Sequence, residues 1–88
     1  MTADLDAARA ALEHGDPKRA LRLAWDAAMA AIAREDEGGM AEAEALAAAI
    51  RDGATGRTRA EAEKLAVLVA YAREHPQPQR ILGVPRRR

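Results

Sequence analysis

The chain contains no cysteine, which excludes disulfides, thiolate metal sites and thiol nucleophiles. It contains no phenylalanine and no serine, and Trp25 and Tyr71 are single examples of their types. So few rings leave no aromatic series on which nucleic-acid bases would stack. Large apolar side chains, which stabilise by roughly 1.5–3 kcal/mol each when buried, are also scarce. The longest apolar run, Leu65–Ala72, is eight residues, too short for the ~20 that a membrane-spanning helix needs. The N-terminus opens with Asp4 and Asp6 instead of a basic stretch followed by an apolar one. No signal peptide is therefore expected, and a cytoplasmic location is the default expectation.

What the chain has is alanine, 24 of its 88 residues. Alanine is the strongest helix former and a poor strand former, so composition alone points to an all-α domain. A core built on it is thin, but it lets helix backbones approach closely and recover dispersion contacts. Charge balances at 14 basic against 14 acidic residues. It is unevenly spread: residues 80–88 carry four arginines and no acid, leaving residues 1–79 at net −4 (10 basic minus 14 acidic). Nucleic-acid contact is thus an expectation for the tail only.

Punctuation divides the sequence into four helices, residues 1–75, and a Pro/Arg-rich tail, residues 76–88. Helix A is expected over about 2–14, with Thr2 as N-cap. Gly15 suits a left-handed residue after its end, Asp16 the next N-cap and Pro17 the first turn of helix B. Helix B runs to about Arg34, before the acidic Glu35-Asp36-Glu37 and a break at Gly38-Gly39. Helix C is expected over about Met40–Arg51, ending at Gly53. Thr58-Arg59-Ala60-Glu61 reads as a capping box opening helix D, which Pro76 and Pro78 stop near His75.

Two of these helices are apolar on more than one side. At about 100° per residue, Leu21, Trp25, Ala28 and Ile32 share a stripe of helix B, while Ala20, Leu23, Ala27 and Ala30 form an opposing apolar side. In helix D, Leu65, Leu68, Val69 and Ala72 form one stripe, and Val67 and Tyr71 lie well away from it. Helices A (Leu5, Ala8, Leu12) and C (Met40, Ala43, Ala47, with Leu46 and Ile50 at the edge) read as one-sided.

Residues 1–34 resemble a tetratricopeptide repeat in their small residues. Ala8 stands where the first helix of that repeat needs a small side chain, Gly15-Asp16 at the inter-helix turn, and Ala20 and Ala27 where the second helix packs closely. The family's bulky positions depart from it, being Asp4, Ala11 and Ala24 here, with Trp25 beside the last. The resemblance implies two antiparallel hairpins stacked as in a repeat solenoid. A four-helix bundle built from the same hairpins is the alternative.

Candidate chemistry is sparse. His14 and His75 fall at helix ends, where an imidazole favours the negative end of the dipole, and no third ligand type accompanies them. Glu42/Glu44 and Glu61/Glu63 are spaced by two, so their carboxylates diverge on a helix. Glu35-Asp36-Glu37 reads as a solvated acidic loop. Gly53-Ala54-Thr55-Gly56-Arg57-Thr58 lacks the preceding strand and the lysine of a phosphate loop. Neither an enzyme nor a cofactor is expected. The expected function is a small helical protein-interaction module whose docking residues are Leu23, Val67 and Tyr71, binding a protein partner or a second copy. Ile81, Leu82 and Val84 of the tail are an alternative cover for Val67 and Tyr71. The alternative function is a nucleic-acid- or ribosome-associated accessory protein acting through Arg80, Arg86, Arg87 and Arg88.

Overall fold

Four α-helices and no strand make up the described residues, 3–75, of the computed structural model. They are α1 (Ala3–Glu13), α2 (Pro17–Ala33), α3 (Glu37–Gly53) and α4 (Gly56–Glu74). No helix among these residues is long and apolar enough to cross a membrane. Thr2 and the whole tail from residue 76 lie outside the described residues.

The first two connections are the same turn. After α1, Gly15 takes a left-handed conformation (φ 79°), and the Gly15 and Asp16 amides donate back to the Leu12 and Ala11 carbonyls. This is the paired bonding that satisfies the orphan carbonyls of a helix end. Asp16 then caps α2, its carboxylate accepting from the Arg19 amide at 3.2 Å, and Pro17 follows in the first turn. After α2, Glu35 occupies the left-handed position (φ 56°), and the Glu35 and Asp36 amides donate to Ile32 and Ala31. Asp36 caps α3 by accepting from the Gly39 amide at 3.1 Å.

The break therefore falls at Glu35 and not at Gly38-Gly39, and α3 begins three residues before Met40. The cap explains the shift. An ideal Cβ on Gly39 would lie 2.8 Å from Asp36 Oδ2 and 3.1 Å from the Ala31 Cβ. Glycine there serves the close approach of α3 to the end of α2, inside the helix. The capping box also differs from expectation. Thr55, in extended conformation and without a side-chain bond, stands at the N-cap of α4, and Thr58 lies within the helix.

The core is one cluster fed by all four helices. Of seventeen buried apolar residues, eleven are alanine. The buried line of α2 is entirely alanine: Ala20, Ala24, Ala28 and Ala31. Leu21, Trp25 and Ile32 on one flank and Leu23 and Ala27 on the other are half-buried against the cluster. The expected Leu21/Trp25 stripe is thus displaced to the side of an alanine ridge. The large side chains that are fully enclosed come from α3 and α4, namely Ile50, Leu65 and Val69, while α1 adds Leu5 to the buried core. Leu46 and Ile50, expected at the edge of their helix, are central.

Each helix packs on the next in sequence; α1 also touches α3 and α2 touches α4, whereas α1 and α4 make no contact. In the last pair, Arg51 near the end of α3 meets Glu63 near the start of α4 (3.1 Å). Arg73 at the end of α4 meets Glu37 (2.7 Å) and Glu44 (2.6 Å) in the first half of α3. The two helices run in opposite directions.

Candidate functional site

The inner face of α4 is set by Ala62, Leu65, Ala66 and Val69, which turn into the core. Helical geometry then sends Ala60, Lys64, Val67, Leu68, Tyr71, Glu74 and His75 the other way. Val67 is 58% exposed, Tyr71 60% and Leu68 39%. Isolated exposed apolar residues are ordinary, but these three adjoin one another on successive turns. Leu68 had been expected on the inner stripe. Ala66 takes that place, because a small residue there lets α4 lie closer to the core.

The patch is held in shape from below and at its end. Below, Arg73 binds Glu44 and Glu37 together. The hydrogen bond to Glu44, then that to Glu37, raises its pKa from an already high ordinary value. Arg51 is raised likewise, by Asp52 first and Glu63 second. Both guanidiniums stay charged at any physiological pH. At the end, the His75 ring stacks on Tyr71 with centroids 4.0 Å apart, and its Nδ1–H donates to the Tyr71 carbonyl at 3.1 Å. His14 makes the equivalent bond to the Ala10 carbonyl at 2.7 Å. Each histidine closes the end of its helix.

The other candidates separate. Leu23 is half-buried against the core, so most of its surface is already used by the fold. Arg80, Arg86, Arg87 and Arg88 lie outside the described residues, as do Ile81, Leu82 and Val84. The acidic run disperses: Asp36 caps α3, and Glu37 binds Arg73. Glu42 and Glu44 diverge, Glu44 toward Arg73 and Glu42 into a half-buried position where its Oε1 has no hydrogen-bond partner among the described residues. Among the described residues no three of His, Asp or Glu gather in a geometry that would hold a metal ion. An open depression of about 260 Å³ lies between α1 and α3, lined by Arg9, Leu12, Glu13, Ala45, Leu46 and Ala49. Its walls are largely apolar, with Arg9 and Glu13 the charged residues among them.

No protein-family model, curated protein or solved structure matches this chain.

Two features of the site were not read from the sequence. Its apolar pattern points Leu68 inward, although the alanines at 62 and 66 mark the line of closest approach. Arg73 carries no local mark of its role, although Glu37 and Glu44, seven residues apart, share a face of α3 that one arginine can span.

Proposed function

We propose that residues 3–75 form a tetratricopeptide-like pair of antiparallel helical hairpins, and that the protein is a non-catalytic interaction module docking through the outer face of α4. The contact pattern favours an open stack. In a closed four-helix bundle the first and last helices pack together, whereas here α1 and α4 do not meet. Close packing at Ala8 and Ala20, both fully buried, also fits the repeat. The last helix of such a stack keeps the face on which a further helix would lie.

One observation carries the functional reading: Val67, Leu68 and Tyr71 are exposed side by side on a helix whose opposite face is already filled. The test is Tyr71→Glu. The variant should keep the far-UV circular dichroism and urea midpoint of the parent chain. The native chain should show a concentration-dependent mass in light scattering, or carry a co-purifying protein, and the variant should lose whichever of the two it shows. If Tyr71→Glu unfolds instead, the ring belongs to the core and the reading fails. Leu23→Ala should act on stability before association, because its side chain is already half covered.

A further inference from the structure

The outward residues of α4 are spaced alternately by four and three: Ala60, Lys64, Val67, Tyr71 and Glu74. That spacing is the seam of a coiled coil. Its charges are asymmetric, with lysine near one end and glutamate near the other. When such a seam meets a copy of itself running in the opposite direction, centred at the level of residue 69, Val67 falls opposite Tyr71 and Lys64 opposite Glu74. Both pairings occur twice. Leu68 of the two copies flanks the seam close to the symmetry axis. In the same-direction arrangement Lys64 would face Lys64 and Glu74 would face Glu74, and like charges oppose pairing.

Resting on the docking reading above, we propose that the occupant of this face is a second copy of the chain, bound antiparallel α4 to α4 in an isologous dimer. The seam is one helix wide, so it lies at the small end of specific interfaces, below about 1,200 Å² of total buried surface. The dimer is accordingly weak and concentration-dependent. No backbone change is needed to form it, since Val67, Leu68 and Tyr71 are exposed already, and stacking on His75 limits the rotamers that Tyr71 must surrender.

Charge reversal tests the register. Sedimentation equilibrium on the full chain, from micromolar to millimolar concentration, should follow a monomer–dimer equilibrium. Lys64→Glu and Glu74→Lys should each weaken it on the order of tenfold, because each puts like charges in two places. The double variant Lys64→Glu/Glu74→Lys should restore the parent affinity. Circular dichroism checks that each variant remains helical; both sites are exposed, so folding should be unaffected. A monomer at every concentration overturns the proposal, as does a double variant no stronger than the singles. Should removal of residues 80–88 convert a monomer into a dimer, the tail is the native occupant and the proposal is equally overturned. If the chain is monomeric yet Tyr71→Glu still displaces a co-purifying protein, self-pairing fails and the docking reading stands.

Discussion

Two valines on α4 offer a controlled comparison. Val69 is fully buried and Val67 is 58% exposed, and they are separated by a single residue of one helix. Valine to alanine removes the same two carbons at each site. It also brings the same gain in helix propensity, at most about 0.7 kcal/mol, so backbone effects cancel in the difference. At Val69 the lost carbons cost about 1.6 kcal/mol of transfer free energy. The cavity left in the core cluster adds to this, for a total of about 2–3 kcal/mol before the propensity gain. At Val67 less than half the side chain is covered, and the transfer loss of about 0.6 kcal/mol is offset by propensity. Val69→Ala should therefore lower stability by roughly 2 kcal/mol while Val67→Ala changes it by less than about 0.5 kcal/mol. Urea denaturation followed by circular dichroism, at a concentration where the chain is monomeric, measures both. The slopes with denaturant should agree, so that midpoints alone report the difference. Equal destabilisation by the two substitutions would refute the orientation of α4 and, with it, the proposal that its outer face docks. Stability for a chain of this size is about 4–13 kcal/mol in total, so the Val69 loss is easily resolved.

Two further substitutions probe other features. Ala28→Leu adds three carbons on the alanine ridge of α2, where Ala20, Ala24 and Ala28 are fully buried. It should destabilise by about 1–3 kcal/mol or more, read as a lower thermal midpoint, because overpacking forces the helices apart. Adjacent glycines in the first turn of α3 should respond with opposite signs. Gly38→Ala meets only Asp36 Oδ1 at 3.7 Å and should raise stability by a few tenths to about 1 kcal/mol, whereas Gly39→Ala pushes on the cap and on Ala31 and should lower it by about 1 kcal/mol, both measured by urea midpoint.

Where the sequence carried a local device, it could be read directly. Gly15-Asp16-Pro17 names a left-handed end, a cap and a first turn, each residue serving one steric or bonding need, and the structure uses all three. Glu35 carries no such mark, because a left-handed glutamate is uncommon and two glycines stand nearby to attract the assignment. Its conformation is imposed by the Asp36 cap and by the approach of Gly39 to Ala31, neither of which is local. The faces of the helices divide similarly. Val67 and Tyr71 were legible as outliers from the α4 stripe, whereas the inward turn of Ala66 and outward turn of Leu68 were not. A hydrophobic pattern ranks residues by size, and leucine outranks alanine. A tight helix contact ranks them by how little space they take.

That inversion also accounts for where the chain leaves large apolar side chains at its surface. A helix contact built on alanine brings backbones together and leaves no room along its centre for Leu21, Trp25 or Ile32, which lie half-buried beside the ridge. On α2 such residues still find cover, because three other helices surround it. On α4, which among the described helices touches only α3 and α2, the same crowding by Ala62 and Ala66 turns Leu68 away from both, and it joins Val67 and Tyr71 at the surface. Enlarging the inner line, by Ala66→Leu, should then tilt or lift α4 instead of drawing Leu68 in. An association that depends on Lys64 facing Glu74 across copies would weaken with it, although neither charge had been touched.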